Sequence, residues 1–124
     1  MKHRLRMSVS LGVLTLIAGC AEESGFRPRV EHGDADRGRA LLSQYECGVC
    51  HVIPGVPGAR GLVGPPLDTY ARRPYIAGKL PNVPEMLVRW IPDAPSLAPR
   101  TAMPAIPVSP QEARDMAAYL YELD

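Results

Sequence analysis

Cys47-Gly48-Val49-Cys50-His51 brings two thiols and an imidazole into five consecutive residues. If the segment turns helically, positions 47, 50 and 51 lie three and four residues apart and project to one side. Three chemistries could use such a cluster, besides a plain disulfide across two residues, which is rarer still. A structural zinc site needs a fourth ligand, and beyond residue 19 only His32 remains, with no second cysteine pair. A redox dithiol of the thioredoxin type needs strands alternating with helices around the motif, and the flanking sequence carries no β-rich runs. The third is covalent haem attachment, for which C-x-x-C-H is the pattern. Thioether bonds to Cys47 and Cys50 would pin the porphyrin edge and make His51 the proximal axial ligand of the iron. The cluster is expected to hold one haem c.

A third cysteine, Cys20, belongs to a different kind of segment. Met1 to Arg6 carries Lys2, His3, Arg4 and Arg6, and an apolar run of about 12 residues follows from Ser8 to Gly19, the layout of a signal peptide. The run is short of the roughly 20 apolar residues that a transmembrane helix needs. It ends in Ile17-Ala18-Gly19-Cys20, which resembles the lipobox of bacterial lipoproteins. That resemblance implies cleavage after residue 19 and a diacylated Cys20; the alternative is an ordinary signal peptide with Cys20 as a stray thiol. The expected organisation is a leader over 1–19, a flexible tether over 20–32 and a folded domain over 33–124. The domain would then be exported and lipid-anchored to a bacterial membrane, on its periplasmic or external face.

Of the 124 residues, about 100 remain for the fold, enough for one domain. Its apolar supply is thin, with one Phe and one Trp, and 13 of the 14 prolines fall between Pro54 and Pro110. That stretch can form only short helices and turns. A domain of this size commonly needs a metal, cofactor or disulfides to complete its core, so a haem would also fill the middle. Without Lys2, Arg4 and Arg6 the chain has 11 basic and 13 acidic residues, a net charge of −2, which argues against nucleic acid as a partner.

The motif must be positioned by flanking elements. Asp34 to Glu46 reads as a helix capped by Asp34, with Ala35, Gly38, Leu41, Leu42 and Tyr45 on one face. Ser109-Pro110-Gln111-Glu112 is a capping box with proline in the first helical position, followed by Ala113, Met116, Ala117 and Leu120 on one face. Gly38 and Tyr119 are the expected meeting point of these two helices, since glycine permits close approach and the aromatic ring fills space. Between them, Asn82-Val83-Pro84-Glu85 reads as a second capping box opening a helix from Met86 to Ile91 that Pro92 ends. Its apolar face would be Val83, Leu87 and Trp90.

In this order (first helix, C-x-x-C-H, Gly64-Pro65-Pro66-Leu67, middle helix, Met103-Pro104, last helix) residues 33–124 resemble the class I c-type cytochromes. The stretch from Tyr75 to Asn82 through Trp90-Ile91 is similar in particular to the cytochrome domains fused to subunit II of bacterial haem-copper oxidases. The resemblance implies an all-α cytochrome c fold of three to five short helices and Pro-rich loops wrapped around one haem. It implies that the Pro65 carbonyl accepts a hydrogen bond from the His51 imidazole, fixing the ring and raising its basicity. It implies that Met103, in Thr101-Ala102-Met103-Pro104, supplies the sixth iron ligand, while Met86 and Met116 pack in helices. Among Arg60, Arg72, Arg73, Arg89 and Arg100, one or two would meet the haem propionates. Lys79 is the sole lysine beyond the leader, so a lysine-ringed docking face is not expected.

His/Met ligation leaves no open iron position and favours the ferrous state. The expected role is that of a one-electron carrier, not an enzyme, in a membrane-associated respiratory chain. Its partner would be a terminal oxidase, a quinol oxidoreductase or a periplasmic dehydrogenase. The alternative is a haem enzyme or a gas or peroxide sensor with a labile sixth ligand, for which no distal His or Arg motif stands out.

Overall fold

The computed structural model describes residues 28–124; the leader, Cys20 and the first part of the tether lie outside the described residues. The first helix, α1, runs Ala35–Gln44, and the Asp34 side chain accepts from the Arg37 N–H at 2.9 Å, the cap that the sequence suggests. Gly38, Leu41 and Leu42 form its buried face. The last helix, α4 below, spans Pro110–Leu120 and opens on a complete capping box: Ser109 Oγ accepts from the Glu112 N–H, and Glu112 accepts from the Ser109 N–H. Ala113, Met116, Ala117 and Leu120 are buried, as the periodicity requires.

Two further helices lie between these. Pro84–Trp90 is α2, with Leu87 and Trp90 buried, and Ala94–Leu97 is α3, capped by Asp93, which accepts from the Ser96 N–H at 3.3 Å. The capping box expected at Asn82 does not form. Val83 occupies the N-cap position with no side-chain hydrogen bond and is exposed rather than part of the apolar face. Asn82 is used elsewhere: its amide donates to the Tyr70 and Arg73 carbonyls at 3.2 and 2.9 Å, and its oxygen accepts from the Tyr121 hydroxyl at 2.9 Å. These bonds tie the loop before α2 to the end of the chain.

The sequence also gave no sign of α3 or of the short antiparallel pair β1 (Tyr75–Ile76) and β2 (Leu80–Pro81), in which Ile76 faces Leu80. Among the described residues the architecture is thus four short α-helices, two single 3-10 turns (Cys47–Val49 and Tyr70–Arg72) and this small hairpin. It is the mostly helical fold expected.

The fold closes where α1 crosses α4. A Cβ at Gly38 would collide with the Asp115 carbonyl, so only glycine lets the two backbones approach this closely. The Tyr119 hydroxyl donates to the Pro54 carbonyl at 2.6 Å, bracing the loop after the cysteine pair. Beside Gly38 sits Asp115, wholly buried. Its carboxylate accepts from the Asp34 N–H at 2.9 Å, from Arg37 Nε and Nη2 at 2.5 and 3.1 Å, and from the Gln111 amide at 2.9 Å. Burial pushes this carboxyl up, but the Arg37, Asp34 and Gln111 donors outweigh it, so the group titrates below its ordinary value of 3.8. Gln111 also donates to the His32 carbonyl at 2.7 Å, and Val30 is buried, so the packed chain begins before the boundary expected at Gly33.

Candidate cofactor site

Leaving α1, the chain passes through Glu46 in the left-handed region (φ 55°) and enters the 3-10 turn Cys47–Val49. The turn is tighter than the helix expected, yet the His51 N–H still reaches the Cys47 carbonyl at 3.0 Å. As a result Cys47, Cys50 and His51 all border one cavity of about 350 Å³. Both thiols are free, and burial pushes that of Cys47 above its ordinary value. An activated redox thiolate needs the opposite shift. Among the described residues, no three His, Cys, Asp or Glu side chains are grouped to hold a metal ion, so the zinc arrangement lacks its geometry.

His51 Nδ1 lies 2.7 Å from the Pro65 carbonyl oxygen. A carbonyl can only accept, so Nδ1 carries a proton, and in the neutral ring Nε2 keeps its lone pair. Gly64, one residue earlier, lies against the imidazole so closely that any Cβ would strike Cε1. Together Gly64 and Pro65 set the ring's position and its tautomer, as the Gly-Pro segment suggests.

Met103 reaches the same cavity from the far end of the chain, half-buried beside Pro104. Its loop is fastened on both sides. The Met103 N–H donates to Thr101 Oγ1 at 3.2 Å, Ala105 bridges to Asp93, and the Ile106 N–H donates to the Pro92 carbonyl at 2.9 Å. Of the other described methionines, Met116 is fully buried between helices and Met86 packs against the core; neither borders the cavity.

The remaining walls are mostly apolar, with Leu42, Leu67, Leu87, Trp90 and Leu120 among them. Tyr45, Glu46, Arg73 and Thr101 add polar groups, and Tyr70 has its hydroxyl buried without a hydrogen-bond partner. Burial pushes its phenol well above the ordinary value, so it stays a protonated donor. The Arg73 guanidinium lies 5.6 Å from the Tyr70 ring centroid and also donates to the Pro66 carbonyl. Of the five arginines considered for propionates, only Arg73 borders the cavity. Arg72 is paired with Asp124 at 2.6 Å. Tyr70 gave no signal in the sequence, where it is one tyrosine in a Pro-rich stretch.

These residues fit a haem. An apolar slot holds a free thiol pair and a histidine with an available Nε2 at one end, a thioether elsewhere on its wall, and an orphaned hydroxyl beside an arginine where a carboxylate could be received. The comparison with known proteins points the same way. The family model described as cytochrome c matches residues 35–124. Over 90 residues the chain is 36% identical to cytochrome c oxidase subunit 2 of Alkalihalophilus pseudofirmus; the match covers 72% of this chain and 25% of that protein. The chain thus spans about a quarter of the relative's length. With the helical fold, the cavity and the family match in agreement, the chain belongs to the cytochrome c family, whose members carry covalently bound haem c and transfer electrons.

Proposed function

We propose that this chain carries a single haem c, attached through Cys47 and Cys50 and ligated by His51 and Met103, and that it passes electrons one at a time in a membrane-associated respiratory chain without catalysing a conversion of its own. The observation that carries this reading is that the Cys47–His51 segment and Met103, distant in sequence, border one cavity. Bound haem would supply a one-electron iron couple. The protein supplies the rest. Cys47 and Cys50 offer two thioether attachments, which would prevent loss of the group outside the cell. Donation from His51 Nδ1 to Pro65 frees Nε2 for the metal and makes it more basic. A thioether from Met103 favours the reduced state, and the apolar walls do the same by excluding water. Tyr70 and Arg73 provide a neutral donor and a cation for the haem carboxylates. With both His51 and Met103 as ligands, no iron position would be left for oxygen or peroxide, which supports a carrier over an enzyme or sensor.

Residues 1–19 serve in this reading as an export leader and Cys20 as the lipid-bearing first residue of the mature chain, at the periplasmic or external face of a bacterial membrane. The tether then confines the domain's diffusion to the membrane surface. The similarity to an oxidase subunit supports a terminal oxidase as electron acceptor, with a quinol oxidoreductase or a periplasmic dehydrogenase as donor.

The test is a visible spectrum of the protein produced in a haem-maturing host, air-oxidised and then reduced with dithionite. A weak far-red charge-transfer band in the oxidised form, sharp α and β peaks on reduction and no uptake of carbon monoxide are expected. A high-spin spectrum with immediate carbon monoxide binding would replace the carrier by a ligand-binding haem protein.

A further inference from the structure

A second cleft, of about 550 Å³, opens between the turn that joins β1 to β2 and the segment that leaves α3. Its charged lining has one sign. Lys79 comes from the hairpin and Arg100 from the segment after α3, and no Asp or Glu borders the cleft. Lys79 is the sole lysine beyond the leader, in a chain whose net charge there is −2. Arg37 and Arg72 are each paired with an aspartate, and Arg73 donates to the Pro66 carbonyl. Among the described residues, Lys79 and Arg100 have no ion-pair partner. Two like charges brought to one cleft repel each other, so the fold gains from an anion held between them.

Thr101 adds a hydroxyl to the same wall. Its oxygen accepts from the Met103 N–H at 3.2 Å, which leaves its own hydrogen to donate. A guanidinium fork, an ammonium and a hydroxyl arriving from separate directions suit a group with several oxygens and up to two negative charges, more than the two coplanar oxygens of a carboxylate. We propose that this cleft binds a phosphate group, free or at the end of a larger molecule, between Lys79, Arg100 and Thr101. The cleft also adjoins the cofactor site: Ala77 and Thr101 border both it and the cavity at Cys47–His51. The consequence rests on the electron-carrier reading above. Oxidation of the haem adds one positive charge beside the cleft, so phosphate binds the oxidised form more tightly and, by reciprocity, lowers the reduction potential.

The test titrates the reduced, haem-loaded full chain with potassium phosphate at neutral pH, against potassium chloride at equal ionic strength so that screening is matched, and follows the backbone amide resonances. Saturable shifts confined to residues 77–80 and 97–101 are expected with phosphate alone, together with a reduction potential that falls as the site fills. Both cationic side chains are exposed, so Lys79→Gln and Arg100→Gln should keep the fold while raising the dissociation constant at least about fivefold each. Phosphatidylcholine vesicles carrying the chain, with and without phosphatidic acid in phosphate-free buffer, separate the sources. A fall in potential that needs phosphatidic acid and vanishes in Arg100→Gln makes the group a lipid headgroup, and a fall with inorganic phosphate alone makes it a soluble phosphate; each supports the site. Shifts that do not saturate, that chloride reproduces, or that both variants leave unchanged overturn it. Saturable binding with a fixed potential overturns the link to the cofactor. A high-spin chain that takes up carbon monoxide overturns the carrier reading and leaves the amide titration to decide the site.

Discussion

Single atoms decide the chemistry of this site, and the two proposed axial ligands are supported very differently. His51 is fixed by a hydrogen bond to Pro65 and by Gly64 against its ring, whereas Met103 depends on a short loop anchored at Thr101 and Ile106. Met103→Ala should therefore keep the covalent haem yet turn the spectrum high spin and lower the reduction potential, read by optical titration; an unchanged spectrum would remove Met103 from the iron. Gly64→Ala should act on the other side. Its methyl displaces the imidazole, so the yield of holoprotein should fall and the oxidised spectrum should show mixed spin states. Cys47→Ser should leave at most one thioether, detected as a shifted reduced α peak. The Cys-Cys-His cluster and Met103 were legible because their side-chain chemistry is rare and their spacing short or Pro-marked. Tyr70 was not, because its significance lies in a missing hydrogen-bond partner, a property of the fold around it.

For the helices, what was legible is what is local. Caps at Asp34 and Ser109 act within three residues, so α1 and α4 could be placed from sequence. Ser109→Ala should cost about 1 kcal/mol of stability in denaturant unfolding. The motif at Asn82 looked equally local, but tertiary partners from Tyr70 to Tyr121 captured its side chain. The four-residue α3 and the two-residue strands have too little sequence to show a period. Asp115 was missed for a related reason: a carboxylate on an otherwise apolar face makes sense only beside Asp34 and Arg37, 81 and 78 positions away. Asp115→Asn keeps the shape but loses the charge-assisted bonds, and should cost about 2 kcal/mol, measured by the same unfolding. Gly38→Ala should cost more than its gain in helix propensity returns, since its methyl has no room at the crossing.

Across the whole molecule, the pH dependence of stability follows from the same crossing. Asp115 and Glu112 both titrate below their ordinary values in the fold, Asp115 because donors outweigh its burial and Glu112 because the Ser109 N–H and hydroxyl hold it. A carboxyl depressed in the folded state is protonated first in the unfolded chain. Its stabilising contribution is complete above about pH 5 and drains away as the pH drops through the folded value. Thermal midpoints should accordingly fall as the pH drops below about 5, with a shallower fall in Asp115→Asn. The crossing also has a consequence in time. Asp34 hydrogen-bonds a residue 81 positions later, and α1 finds its partner only in α4, at the far end of the domain. During synthesis the first helix emerges with nothing to fold against, and long-range closure of this kind comes late. Throughout that interval the Cys47–Cys50 pair stands on a chain whose domain is not yet closed, so under the proposed function the haem would be joined to an accessible segment before the last helix shuts the fold.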